Sequence, residues 1–204
     1  MKNNFNQILF EEEECQKKHE NKLEDNSISS TFLKTRQILL TGEIDKDLSE
    51  KIIRQLLIME AENDSPIYLY IDSPGGDADA GFAIFDMVRF VKAPVYIIGM
   101  GLVASAAALV LLAVPKERRI GLTNSHYLIH QPLSGIKGVA TEIEIHAQEI
   151  IKMRARINQV ISSQCSQPLE KVEKDTDRDF WLDGTEAVEY GLISRIITNR
   201  DELK

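Results

Sequence analysis

The stretch at residues 98–114 constrains the fold most, because it is an apolar run in which Ser105 carries the only hydroxyl group. A short β-rich segment precedes it, Gly99 and Gly101 interrupt the extended pattern, and residues 105–113 are typical of a buried helix. We therefore expect Ser105 at a turn between a strand and a helix. A hydroxyl in that position can face a ligand beside backbone N–H groups that the helix does not use. The alternative is an N-cap serine with a purely structural role.

Strands and helices alternate along the chain. Strands are expected at residues 37–40, 67–71, 95–98, 127–129, 180–182 and 193–197, and helices at 46–61, 80–91, 105–113, 141–164 and 184–190. The run IYLYI at 67–71 has no polar face, which is typical of buried parallel strands. This alternation predicts an α/β fold with a mainly parallel sheet and right-handed crossovers. Ligands bind such sheets beyond the carboxyl ends of the strands, where loops at 73–76, 100–105 and 130–135 are expected.

The composition narrows the classes of function. A net charge of −8 argues against nucleic acid or an anionic membrane surface as the main partner. Cys15 and Cys165 lie far apart in no metal-ligand pattern, which is consistent with free thiols in a reducing compartment. The amino terminus lacks the apolar core of a secretory signal, and the longest apolar stretch, at 102–114, is too short to span a bilayer. We therefore expect a cytoplasmic protein.

Two segments are expected to lie outside the packed core. Residues 1–31 are polar after a small apolar cluster, so we expect an amino-terminal arm, mobile or processed, followed by one domain at 32–204. The basic residues at 116–119 are expected to form a solvated turn.

Three residue types that serine catalysis requires are available near the expected sheet edge. A serine nucleophile needs a base, and the base needs an acid that fixes its tautomer. His130 directly follows a predicted strand and shares the sheet edge with Ser105, although it could equally be a structural histidine. The motif KDTDRD offers Asp175, Asp177 or Asp179 as the acid, and its alternative interpretation is an exposed charged turn.

The Ser-Pro-Gly-Gly loop could supply an oxyanion hole. The N–H groups of Gly75 and Gly76, together with that of Ala106, are candidates to stabilise a tetrahedral intermediate, and the alternative is a simple tight turn. Other chemistries lack support. The sequence contains no Walker loop, no HExxH pair, no G-x-G-x-x-G at a nucleotide-binding turn and no G-x-S-x-G elbow.

Six motifs occur in order along the chain: IYLYIDSPGG, GFAIFDM, GLVASAA, LIHQPLSG, GVATEIEIHAQEI and EKDTDRDFWLDGTEAVEYGLI. Together they resemble the ClpP family, the proteolytic subunit of the ATP-dependent caseinolytic (Clp) protease. The resemblance covers residues 36–198. It implies a crotonase-like α/β fold with flanking helices and a strand–helix handle. It also implies a serine endopeptidase that cleaves unfolded polypeptides to short peptides inside a chamber of two stacked heptameric rings.

The resemblance assigns roles to single residues. Ser105 matches the nucleophile of the family, His130 the general base and Asp179 the acid. The N–H groups of Gly76 and Ala106 match the oxyanion donors. This implied chemistry uses no metal and no organic cofactor in the chain itself, since ATP is consumed by a partner unfoldase of the AAA+ type, such as ClpX, ClpA or ClpC.

Further positions match surfaces of the family. Residues expected to contact substrate are Gly75, Gln131, Pro132 and Leu133, within a segment at 131–135 that resembles a peptide-pairing strand. Asp177 and Arg178 match an ion pair between rings. Residues that match the docking pocket for the unfoldase are Tyr68, Tyr70 and Phe90.

Several residues depart from the family pattern. Ala106 stands where methionine is usual, Ser134 replaces the second glycine of HQPLGG, and Asp77 and Asp79 make the loop after the glycine pair acidic. The family's amino-terminal gate is not recognisable in the arm. These departures suggest one of two paralogues, and the alternative function is a weakly active structural or regulatory subunit in a mixed complex with a second ClpP subunit. A third function, that of an acyl-CoA hydratase on the related crotonase fold, lacks support because the acidic catalytic residues of such enzymes have no counterpart in this sequence.

Overall fold

A seven-stranded sheet organises the chain, and the computed structural model describes residues 31–203. The strands are β1 (Gln37–Thr41), β2 (Ile67–Ser73), β3 (Val95–Ala104), β4 (Arg119–Leu122), β5 (His126–Ile129), β6 (Phe180–Leu182) and β7 (Arg195–Ile197). The α-helices are α1 (Lys46–Glu62), α2 (Ala78–Phe90), α3 (Ala106–Leu111), α4 (Ala140–Cys165), α5 (Leu169–Asp175) and α6 (Gly184–Tyr190). Short 3₁₀ helices lie at Lys116–Arg118 and Arg200–Leu203.

The sheet is parallel except at one edge. Its main path runs β1-β2-β3-β4-β7, and β5 pairs with β3 and with β6. The β2–β3, β3–β4, β3–β5 and β4–β7 pairs are parallel, whereas β5–β6 is antiparallel. The predicted α/β class with a mainly parallel sheet is confirmed.

Strand β3 is longer than the sequence pattern predicts, because the expected break at its glycines is a bulge. The register with β2 shifts between the pairs Ile71↔Gly99 and Ser73↔Val103. Gly101 has φ +55 within the bulge, and the strand then continues to Ala104. The first half of β3 pairs with β4 and the second half with β5. The bulge therefore lets one strand carry two neighbours in succession.

The core lies between the sheet and helices α1, α2 and α3. The side chains of Ile67, Leu69 and Ile71 on β2 are fully buried, but Tyr68 and Tyr70 between them are only half-buried. The prediction that this strand is buried on both faces is therefore wrong for the protomer. The tyrosine face packs against a small second cluster centred on Ile98, Ile120 and Ile197.

The basic segment at 116–119, expected to be a solvated turn, is exposed at Lys116 but buried at Arg119. Arg119 begins β4 and is 1% exposed. Its guanidinium donates to backbone carbonyl oxygens of Val114 at 2.8 Å, Gly191 at 3.2 Å and Gln164 at 3.1 Å. This buried cation thus holds the carboxyl-terminal ends of α4 and α6, where helix carbonyls lack partners and favour positive charge. Neither β4 nor α5 was expected from the sequence.

Helix α4 has two different parts. Residues 140–149 are exposed on every face, whereas Asn158, Ile161 and Cys165 in the second part are buried. The preceding segment at 131–139 forms no strand, so the expected peptide-pairing strand has no sheet partner within the protomer.

The expected arm at 1–31, including Cys15, lies outside the described residues apart from Thr31, and that prediction stays open. Across residues 31–203, no helix has the length and apolar character needed to cross a membrane.

Candidate active site

Ser105 occupies the junction between β3 and α3. Its backbone N–H donates to the Leu128 carbonyl oxygen at 2.8 Å, which extends the β3–β5 pairing by one residue. The residue has φ 54 and ψ −120 and makes no side-chain capping bond. The serine therefore holds the N-cap position without the N-cap hydrogen bond. A non-glycine residue with positive φ is a local strain that is typically kept at functional sites.

Gly75 makes room for the Ser105 turn. It has φ +89, and a Cβ atom placed on it would lie 2.6 Å from the Ala104 carbonyl oxygen and 2.7 Å from the Ser105 Cβ. No larger residue fits this approach. Gly75 is therefore required by the contact between the loop after β2 and the candidate nucleophile, whereas a Cβ atom on Gly76 would instead meet the backbone of Ile44.

His130 follows β5 and reaches the acidic segment. Its Nδ1 lies 3.1 Å from Oδ1 of Asp179, and its side chain is 13% exposed whereas that of Asp179 is 62% exposed. The other two candidate acids have different partners. Asp175 accepts from the Tyr190 hydroxyl at 3.0 Å, and Asp177 accepts from the Arg154 guanidinium at 3.1 Å. Of the three candidates, Asp179 is the one that contacts the imidazole.

The acidic segment is anchored next to His130 by buried and backbone bonds. Thr176 is fully buried, and its hydroxyl bonds to Asn158 Oδ1 at 2.9 Å. The backbone N–H of Gln131 donates to the carbonyl oxygen of Thr176 at 2.6 Å. The side-chain amide of Gln131 donates to the carbonyl oxygen of Asp177, also at 2.6 Å. The side chain of Gln131, which was predicted to contact substrate, therefore stabilises the loop that carries Asp179.

Two backbone donors face the cavity without an acceptor. Among residues 31–203, no hydrogen bond is formed by the N–H of Gly76 or by that of Ala106, the first residue of α3. The N–H of Gly75 is not available, because it donates to Ser73 Oγ at 3.1 Å. Of the three donors considered from sequence, the structure leaves Gly76 and Ala106.

A cavity of about 510 Å³ joins these groups. Ser105 and His130 line it together with Gly75, Gly76, Ala106, Pro132 and Leu133. Its apolar wall consists of Leu109 on α3 and of α4 side chains that the sequence reasoning did not select: Ile150, Met153, Ile157 and Ile161. The α4 residues are spaced by three or four positions, which places them on one face of the helix. This spacing is the sequence signal that could have identified them. Glu43 and His146 were also missed.

The remaining predicted residues lie elsewhere. Tyr68 stacks on Tyr96 with ring centroids 5.5 Å apart, and Tyr70 packs with them in the second cluster. Phe90 is 75% exposed at the end of α2. Arg178 is exposed, and its guanidinium donates to the carbonyl oxygen of Asp177 at 3.2 Å.

The arrangement can support acyl transfer. A serine hydroxyl, an imidazole held by a carboxylate and two unused N–H groups border one cavity with an apolar wall. These are the groups that nucleophile, general base and oxyanion stabilisation require.

Comparisons with known proteins point to one family. The family model described as Clp protease matches residues 18–200. The ATP-dependent Clp protease proteolytic subunit 2 of Treponema denticola is 67% identical over 88% of this chain and 90% of that protein. The protein of the same name from Borreliella burgdorferi is 50% identical over 89% of this chain and 92% of its own. A solved ClpP1 variant from Listeria monocytogenes superposes with a TM-score of 0.82 at 45% identity, covering 87% of this chain and 99% of that one.

Proposed function

Because the chain belongs to the Clp protease family, we propose that it is the proteolytic subunit of an ATP-dependent Clp protease and cleaves peptide bonds through Ser105. The observation that carries the proposal is the placement of Ser105. It stands at positive φ, without a capping bond, on the same cavity as a histidine already bonded to an aspartate.

The proposed reaction forms and then hydrolyses an acyl-enzyme. Ser105 Oγ attacks the peptide carbonyl carbon while Nε2 of His130 takes its proton, and Asp179 stabilises the resulting imidazolium at Nδ1. The Gly76 and Ala106 N–H groups donate to the oxyanion, each contributing about 3 kcal/mol in the transition state. His130 then returns the proton to the leaving amine. A water molecule, deprotonated by the same histidine, releases the acyl group and restores Ser105.

No metal or organic cofactor of this chain takes part in the proposed steps. ATP is used by a separate AAA+ unfoldase of the ClpX, ClpA or ClpC type, which feeds unfolded polypeptides to the site. Tyr68, Tyr70 and Phe90 are the proposed contact residues for that partner, in a cytoplasmic protein-quality-control role.

The proposed assembly is a tetradecamer of two heptameric rings. The exposed apolar side chains of the α4 region support it, because large aliphatic groups on an isolated surface favour association. Those most exposed are Leu133, Val139, Ile145 and Ile151. Asp177 and Arg178 are proposed to pair between rings, so Arg178→Ala should shift the particle toward single rings by native mass spectrometry.

The deciding experiment uses a fluorophosphonate probe on the assembled protein. We expect the probe to label Ser105, and Ser105→Ala to abolish both labelling and peptide cleavage. Ser163→Ala is the matched control, because within residues 31–203 this exposed hydroxyl bonds only to the Val160 carbonyl oxygen in α4. Labelling that survives in Ser105→Ala would contradict the assigned nucleophile.

A second candidate function is a subunit with weak activity alone that works in a mixed complex. The relatives named proteolytic subunit 2 support it, since the number implies a second subunit in those organisms. A tetradecamer that contains no second paralogue and fails to take the probe would favour this candidate.

A further inference from the structure

We propose that Glu43 and Asp79 form an anionic subsite that selects peptides carrying lysine or arginine next to the cleaved bond. The inference rests on the proposed peptidase function and concerns the same cavity. Both residues line that cavity beside Gly76, and both are exposed.

Glu43 is fixed in place by the backbone on both of its sides. Gly42 N–H donates to the Asp72 carbonyl oxygen at 3.2 Å, and Ile44 N–H donates to that of Gly75 at 2.7 Å. The Ile44 carbonyl oxygen in turn accepts from Asp77 N–H at 2.8 Å. The segment that contains Glu43 is therefore hydrogen-bonded to the loop that provides the Gly76 oxyanion donor. The backbone of Glu43 is thus held beside the oxyanion donor, and its side chain lines the cavity.

Asp79 follows the loop that contains Gly76 and lies in the first turn of α2. Asp77, two residues earlier, is the N-cap of this helix, and its Oδ1 accepts a hydrogen bond from Ala80 N–H at 2.7 Å. The amino-terminal end of a helix carries about half a positive charge. Two carboxylates at this end leave a net negative potential facing the cavity.

The charge around the cavity is one-sided. Four carboxylates line it, from Glu43, Asp77, Asp79 and Glu149, and within the described part of the chain no lysine or arginine does. Glu149 is compensated by Lys152, whose Nζ lies 2.6 Å from Oε1. Glu43 and Asp79 have no ion-pair partner among residues 31–203. A cleft lined by one sign of charge concentrates ligands of the opposite sign.

The apolar wall and the acidic rim suit the same substrate. Ile150, Met153 and Ile157 provide a surface for one aliphatic or aromatic side chain of the peptide. A lysine or arginine nearby can lay its aliphatic stem on that surface and extend its charged head toward the rim. We therefore expect cleavage next to an apolar residue that has a basic neighbour, with acidic neighbours disfavoured.

The test compares quenched-fluorescence peptides that are identical except for lysine, glutamine or glutamate at one position. Each position from the third residue before to the second residue after the cleaved bond is varied in turn, with the assembled full chain. At one or two adjacent positions we expect kcat/KM for the lysine peptide to exceed that for the glutamate peptide by about three- to tenfold. Salt at 0.5 M should reduce this ratio, since exposed charges are screened.

The double variant Glu43→Gln and Asp79→Asn should bring the lysine-to-glutamate ratio close to one. Glu144→Gln is the matched control, because this exposed α4 residue does not line the cavity, and it should keep the wild-type ratio. Equal cleavage of all peptides by a wild-type protein that labels at Ser105 would overturn the subsite and leave the peptidase function standing. An assembled protein that cleaves none of the peptides and takes no probe would overturn both.

Discussion

His130 and Asp179 stand 49 positions apart in the chain, yet Nδ1 of the histidine lies 3.1 Å from Oδ1 of the aspartate. The contact depends on two separate supports. Strand β5 delivers the histidine beside the end of β3, and the buried Thr176 hydroxyl ties the acidic segment to α4. In the proposed reaction, this contact favours the tautomer with its proton on Nδ1 and leaves Nε2 free to take the proton of Ser105.

The first prediction concerns that bond. Asp179→Asn removes the charge that stabilises the imidazolium and permits the wrong tautomer, so kcat for a short peptide should fall by about 10²- to 10⁴-fold. KM should change little, because the residue does not bind substrate. Asp86→Asn, an exposed change on α2, is the control and should keep full activity. A loss below threefold for Asp179→Asn would remove it from the proposed triad.

The second prediction concerns the approach of Gly75 to Ser105. Gly75→Ala combines a positive φ with contacts of 2.6 Å and 2.7 Å for the new methyl group, so the turn at Ser105 must move. We expect a loss of about 2–4 kcal/mol in the free energy of unfolding and slower labelling of Ser105. Gly135→Ala has nothing within 4 Å of the added Cβ and should leave the unfolding free energy nearly unchanged. Equal effects of the two variants in denaturant titrations would contradict the steric argument.

The third prediction concerns the buried cation. Burial lowers the pKa of Arg119. Its guanidinium donates hydrogen bonds to three backbone carbonyl oxygens. Arg119→Leu should reduce the free energy of unfolding by about 3 kcal/mol, because charged hydrogen bonds are lost and buried carbonyls are left without partners. Lysine at this position cannot match the forked geometry and should recover only part of the loss. Arg118→Leu, next to it but only partly buried, should cost under about 1 kcal/mol.

The fourth prediction concerns pH. Burial raises the pKa of the Cys165 thiol from 9.0 to about 11. The folded state therefore holds this proton more tightly than the unfolded state, and the stability gained is complete below pH 9 and is lost as pH rises toward 11. Denaturant titrations in a Cys15→Ser background should show this alkaline decline, and Cys165→Ala should make it shallower. The thiol should also resist alkylating reagents at pH 8 until the protein unfolds. Rapid alkylation of the folded protein would contradict its burial.

Local sequence determined most of the element pattern. Helical and strand periodicities placed α1, β2, α2, α4 and β5 within a few residues of their observed bounds, because these elements bury an apolar face whose spacing is visible in the chain. Short elements such as β4 and α5 escaped notice. They are stabilised by distant partners, and in β4 the buried residue is an arginine, which no hydrophobic pattern detects.

The motifs around Ser105 and His130 also indicated one family, and the comparisons confirm that family. The sequence could not choose among Asp175, Asp177 and Asp179 from spacing alone. Only the tertiary structure gave each a different partner, Tyr190, Arg154 and His130 respectively. The same holds for the β3 bulge and the wall of the cavity. Such features arise from contacts between segments far apart in the chain, and local patterns carry no information about which segments meet.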